Sequence, residues 1–149
     1  MKTVLFVCTG NTCRSPMAAA IANKIFEECG IEATASSCGI YAVDDSGVSE
    51  NAAAVMKDIL GVDISGHKAR IVCEKYLAAA HIVIALTAGH KHGLCAIYPE
   101  FADKIYAIGE FGDECRDIND PFGGNLEIYM KTAGQIRRCF EKLNWEEYI

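Results

Sequence analysis

Short apolar runs alternate with stretches whose apolar residues recur at helical spacing, and this alternation limits the folds open to the chain. Residues 3–8, Thr-Val-Leu-Phe-Val-Cys, are continuously apolar and rich in β-branched side chains, which predicts a strand buried on both faces. Ser15-Pro16 then opens a helix, with Ser as N-cap and Pro at the first helical position; the helix runs through Met17, Ala20, Ile21, Ile25 and Phe26 to Gly30. Residues 32–40, 81–86 and 104–108 read as three more strands. Ala52, Val55, Met56 and Ile59, stopped by Gly61, mark a helix over 49–60. Shorter helices fall near 74–79 and 90–97, and Leu126, Tyr129, Met130, Ala133, Ile136, Phe140 and Leu143 define a long final one. Strands alternating with helices predict an α/β fold: three layers, a four-stranded parallel sheet, and about five helices on its two faces. Sites in such sheets lie beyond the carboxyl ends of the strands, here the loops 8–15, 40–48, 86–90 and 109–125.

The 149 residues suit one domain spanning 1–149, without repeats or linkers. A net charge of −6 argues against a nucleic-acid partner, while leaving room for a locally positive site that takes an anion. No apolar run is long enough to cross a membrane. Eight cysteines raise the question of a disulfide scaffold. The first eight residues do not read as a signal peptide, and the cysteines lie within apolar stretches. The expectation is therefore a cytoplasmic, monomeric protein with free thiols.

The first loop carries the chemistry. It reads Val7-Cys8-Thr9-Gly10-Asn11-Thr12-Cys13-Arg14-Ser15-Pro16 and contains a Cys-x5-Arg spacing. The spacing arises easily by chance in a chain with eight cysteines. Its setting is more specific: a buried strand ends on the Cys, the loop holds a Gly, and Ser-Pro begins a helix. Loop N–H groups and the helix N-terminus then converge on one point, which suits a tetrahedral oxyanion. Arg14 adds a two-pronged fork to phosphate oxygens. The same positive surroundings favour the thiolate of Cys8, and Ser15 is placed to donate a hydrogen bond to it. Such a cradle needs a general acid for the leaving group; Asp120, in Asn119-Asp120-Pro121-Phe122-Gly123-Gly124, is the best candidate.

These residues resemble the low-molecular-weight protein tyrosine phosphatases, over essentially the whole chain. The loop through Met17 and the Asp120-Pro121-Phe122 segment carry the resemblance. It implies a cysteine-dependent, metal-free and cofactor-free phosphatase acting on phosphorylated proteins. Cys8 attacks phosphorus while Asp120 protonates the leaving group, and water then hydrolyses the phosphocysteine. Thr9, Gly10, Asn11, Thr12, Cys13 and Arg14 would bind phosphate. Asn11 resembles a strained loop asparagine supported by a serine and a histidine, here Ser37 and His67. Tyr41 and Phe122 resemble the aromatic walls of the pocket, and Cys13 a redox guard able to pair with the nucleophile.

One position departs from the tyrosine-specific pattern. Thr12 stands where those enzymes commonly carry a bulkier aliphatic residue, and it resembles the bacterial branch acting on phosphoarginine. A planar, polar guanidinium fits beside a hydroxyl better than beside an aliphatic group. Alternatives are an arsenate reductase on the same fold or a non-catalytic anion-binding module. The first would need a relay pair that the widely spaced Cys73 and Cys95 do not offer, and Cys8, Arg14, Ser15 and Asp120 together speak against the second. Cys29, Cys38, Cys73, Cys95, Cys115 and Cys139 read as small apolar residues, and His90 and His92 as solvated.

Overall fold

A computed structural model describes residues 1–149. Four strands, β1 (Lys2–Cys8), β2 (Ala33–Gly39), β3 (Ile82–Ala85) and β4 (Ile105–Ala107), form one parallel sheet in the order β2-β1-β3-β4. Five α-helices connect and cover them: α1 (Arg14–Cys29), α2 (Glu50–Leu60), α3 (Glu74–Ala79), α4 (Ala88–Ile97) and α5 (Leu126–Lys142). Three short 3-10 turns follow α4, β4 and α5.

The period-2 geometry of a strand sorts β1 between two cores. Val4, Phe6 and Cys8 face Met17, Ile21 and Phe26 of α1, Val55 and Met56 of α2, and Tyr129, Ile136 and Phe140 of α5. Leu5 and Val7 face the other way, onto Leu77 of α3 and Leu94 of α4. Phe6 stacks on Phe140 at 5.2 Å, with Trp145 edge-on to both. The sheet is therefore sandwiched, as its uninterrupted apolar strands require.

Strands two to four each start one residue later and end one residue earlier than the sequence-based limits. Leu86 still donates to the Val7 carbonyl of β1, but its own carbonyl accepts from the Ile118 N–H of a loop instead of from a strand. The start of α1 is a clearer correction. Its N-cap is Cys13, with no side-chain cap, and the first helical residue is Arg14. Ser15 does not cap because its hydroxyl is committed elsewhere, to Cys8 and Asn11.

The cysteines also need correction. Cys115 and Cys139, 24 residues apart, form a disulfide tying the 112–125 loop to α5, so not every thiol is free. Both lie fully inside the core that joins α5 to the sheet. Cys29, at the end of α1, is exposed rather than apolar filling.

Candidate active site

Cys8 is the last residue of β1, and the chain then turns through residues 9–13 into α1. The turn is held by its centre. Asn11 is fully buried at φ 57°, a left-handed backbone that asparagine tolerates better than most residues. Its side chain is saturated: Nδ2 donates to Ser15 Oγ at 2.8 Å and to Ser37 Oγ at 2.9 Å, and Oδ1 accepts from the Arg70 N–H at 3.0 Å. Its carbonyl lies 2.9 Å from His67 Nε2. A carbonyl only accepts, so His67 carries its proton on Nε2. Arg70 further donates Nε to the Ser37 carbonyl and lies 3.9 Å over the Tyr76 ring.

This buttress sets the direction of a proton. Asn11 donates to Ser15 Oγ, so the serine hydrogen points to its nearer acceptor, Cys8 Sγ at 2.9 Å; the Cys38 carbonyl lies farther off at 3.4 Å. Ser15 thereby supports negative charge on the sulfur. The backbone N–H groups of Gly10, Asn11, Thr12 and Cys13 donate to no atom of the chain. They line one cavity with Cys8 at the start of α1, an arrangement with the chemistry to take an anion.

Arg14 is buried, and its guanidinium is clamped on one side. Nη1 donates to the Ile118 carbonyl at 3.1 Å, Nη2 to Thr9 Oγ1 at 3.5 Å, and Nη2 stands 3.7 Å from Asp120 Oδ2. Its Nε is buried without a partner in the chain. With Nη1 on Ile118 and one Nη2 hydrogen on Thr9, Nε–H and the second Nη2 hydrogen form the edge that can grip an oxyanion in two places. Asp120 is half exposed and faces this edge, and its Oδ1 accepts from the Phe122 N–H at 3.0 Å.

Residues 8–14 with Asp120 and Phe122 line a cavity of about 210 Å³. Thr12 is half-buried in its wall. Tyr41 is not among the lining residues; its ring is exposed, and its backbone N–H holds the Thr9 carbonyl at 3.0 Å. A larger cavity, about 500 Å³, lies behind α1 and touches the reverse side of Ser37, His67 and Arg70, but none of residues 8–14. The thiol, the unpaired donors and the carboxylate meet in the smaller one.

Burial, then the neighbouring Cys8, pushes the Cys13 thiol up to about 11. His90 is not solvated, contrary to the sequence reading. Thr87 caps α4 by accepting from the His90 N–H at 3.0 Å, which places the ring against the first loop with Nε2 2.8 Å from Thr9 Oγ1. Burial, aided by Arg14, lowers its pKa to about 4, so the imidazole is neutral. His92 is exposed.

Sequence reasoning also missed Arg70 and Gly39. A Cβ at Gly39 would stand 2.5 Å from the Thr9 carbonyl oxygen and 3.0 Å from the Asn11 nitrogen, so only glycine lets β2 lie this close to the loop. A glycine closing a strand next to the cysteine strand was the available signal.

The chain matches the family model of low molecular weight phosphotyrosine protein phosphatase over residues 3–147. It belongs to this family. Protein-arginine-phosphatase of Geobacillus stearothermophilus is 37% identical over 142 residues, covering 94% of this chain and 92% of the relative. Low molecular weight protein-tyrosine-phosphatase PtpB of Staphylococcus haemolyticus is 36% identical, covering 94% and 96%. The crystal structure of low molecular weight protein tyrosine phosphatase from T. tengcongensis superimposes with a TM-score of 0.92 at 42% identity over all of both chains. The chain is thus a low molecular weight protein phosphatase, a hydrolase whose substrates are phosphorylated proteins. No helix of this phosphatase is long and apolar enough to cross a membrane.

Proposed function

We propose that the phosphatase works through a phosphocysteine formed on Cys8 and that Thr12 directs it toward phosphoarginine, with phosphotyrosine as the other substrate class. The observation that carries the mechanism is the convergence of Cys8 Sγ, the unpaired N–H groups of residues 10–13 and the Nε–Nη2 edge of Arg14, whose Nε is unpartnered, on one cavity. A phosphoryl group seated there has its oxygens on those donors and its phosphorus over the sulfur.

Cys8 Sγ attacks phosphorus as the bond to the leaving oxygen or nitrogen breaks, and Asp120 gives that atom its proton. Water then attacks the phosphocysteine, Asp120 takes back a proton, and phosphate leaves as the Cys8 thiolate is restored. Ser15 donates to the sulfur at both ends of the cycle. The donors that grip the three phosphoryl oxygens come from backbone and from an arginine fixed by Ile118, so little reorganisation accompanies the step. No metal or other cofactor enters this scheme.

Support for the arginine reading comes from the Thr12 hydroxyl in the wall and from a carboxylate placed to serve a guanidinium nitrogen. Phe122, which lines the cavity and is exposed, is the aromatic surface open to a substrate side chain, and Tyr41, exposed beside the loop through its backbone bond to Thr9, is the second one this reading assigns. Cys13 serves as the redox partner of Cys8. Once a peroxide has oxidised Cys8 to the sulfenic acid, the Cys13 thiol condenses with it and releases water. The reading takes residues 1–149 as one domain acting as a monomer in the cytoplasm, without nucleic-acid or membrane partners. Cys8 stays reduced there, and the Cys115–Cys139 pair is protected by burial.

Rates on phosphoarginine and phosphotyrosine peptides, for wild type and Thr12→Ile, test this. The expected result is hydrolysis of both by wild type and a selective loss of phosphoarginine turnover in Thr12→Ile. Wild type inert toward phosphoarginine, with an unchanged profile in the variant, would remove the arginine reading. Arsenate turnover coupled to a dithiol would revive the reductase alternative.

A further inference from the structure

The neutral, half-buried histidine at the start of α4 has no part in the mechanism above, yet it reaches into the phosphate loop. We propose that His90 is a positioning residue: it orients the Thr9 hydroxyl, which in turn holds Arg14 with its Nε–Nη2 edge toward the phosphoryl group.

Hydrogen-bond direction carries the argument. Arg14 Nη2 can only donate, so Thr9 Oγ1, 3.5 Å away, accepts from it. A hydroxyl has one hydrogen, and the nearest acceptor for it is His90 Nε2 at 2.8 Å. The relay therefore runs from Arg14 Nη2–H to Thr9 Oγ1, and from Thr9 O–H to His90 Nε2. It requires an imidazole with its proton on Nδ1. That proton sits in a buried position without a partner in the chain, a cost that ordinary packing gives no reason to retain. The cap from Thr87 fixes the backbone at His90, so the ring departs from a set position in the first turn of α4.

The relay matters because Asp120 competes for the same guanidinium nitrogen from 3.7 Å. Without an oriented Thr9, the Ile118 carbonyl is the remaining hydrogen-bond acceptor that holds the Arg14 guanidinium against rotation toward Asp120. Such rotation would take the arginine from the phosphate and hold the acid in an ion pair. His90 itself does not line the cavity, so it acts through Thr9 and touches no substrate.

This inference rests on the Cys8 loop being the phosphate site, and the test separates the two. Inorganic phosphate is titrated onto Cys8→Ser protein, alone and combined with His90→Leu, His90→Gln or Thr9→Val; kcat and KM on an aryl phosphate are measured with Cys8 restored. The expected result is a roughly 3- to 10-fold loss of phosphate affinity and of kcat/KM in His90→Leu and in Thr9→Val, the size of one hydrogen bond. Combining the two should cost no more than either alone. His90→Gln, whose amide oxygen can take the Thr9 hydrogen, should recover most of the loss, and nitrogen NMR should find the wild-type ring protonated at Nδ1. A purely structural role would lower the melting temperature without moving phosphate affinity. Wild-type affinity in His90→Leu, multiplying losses in the double variant, or a proton on Nε2 would overturn the positioning role alone. Turnover surviving in Cys8→Ser would overturn the site reading and this inference with it.

Discussion

Gly39→Ala probes how closely the sheet must approach the phosphate loop. The added Cβ would lie 2.5 Å from the Thr9 carbonyl oxygen, 3.0 Å from the Asn11 nitrogen and 3.1 Å from the Ala42 Cβ. A comfortable carbon–oxygen contact begins near about 3.3 Å, so Thr9 must retreat by about 0.8 Å. Two of the three obstacles are backbone, and neither can swing aside. The segment is also fastened on both sides: Ile40 and Tyr41 donate to the carbonyls of Cys8 and Thr9, and Gly39 itself bonds to Arg70 and Val72. Overpacking of this kind costs about 1–3 kcal/mol, which lowers the melting temperature by roughly 3–10 °C. The larger effect is on rate. A displacement approaching 1 Å in a reacting constellation costs on the order of 10²-fold. Steady-state turnover of an aryl phosphate and thermal melting measure both. Gly47→Ala is the control, since a Cβ there meets nothing within 4 Å, and it should remain near wild type. Turnover within threefold of wild type in Gly39→Ala, with an unchanged melting temperature, would refute the close-approach argument.

Three further outcomes follow from the same geometry. Cys8→Ser should abolish turnover while retaining phosphate binding, and Asp120→Ala should lower kcat roughly 10²- to 10⁴-fold; an active Cys8→Ser variant would defeat the covalent mechanism. His90 has its folded-state pKa depressed to about 4 from 6.5, so the unfolded chain takes up the proton first. Stability should therefore fall as pH drops from about 6.5 to about 4 and gain nothing from this group above that window. The slope is bounded by about 1.4 kcal/mol per pH unit, reduced by the solvent contact the ring keeps. Denaturant titrations should show a shallower acid slope in His90→Gln, and identical slopes would contradict the assignment. Reducing Cys115–Cys139 opens a loop of 24 residues, worth roughly 3 kcal/mol in the chain-entropy picture, so melting should fall by roughly 6–12 °C under a strong dithiol. A melting curve indifferent to reductant would show that the pair contributes no constraint.

Much of the site was legible because its parts are local. Cys8, Asn11, Arg14 and Ser15 lie within eight residues, between a strand and a helix that announce themselves by β-branched content and by apolar spacing. Ser37 and His67 came only through resemblance, and the structure places both on Asn11. The cap of α1 was misread for a physical reason. Ser-Pro is a sound local start signal, but Ser15 gains more from Asn11 and the Cys8 sulfur than from capping, and the helix begins on Arg14, two positions before the Pro16 start.

By itself, the sequence determined the layered α/β arrangement, the turn between β1 and α1 and the identity of the thiol, the guanidinium and the carboxylate that meet there. These follow from periodicity and from residue chemistry, which are properties of short segments. The tertiary structure alone decided that Cys115 finds Cys139, that Arg70 braces Asn11 from 59 residues away, that Ile118 fixes Arg14, and that His90 faces the loop. Each is a meeting between elements brought together by the order β2-β1-β3-β4 and by the packing of α4 and α5 against that sheet. A hydrophobic pattern tells a side chain which face of its own element to occupy. It does not say which distant residue waits across the gap, because that depends on how all the faces are buried at once.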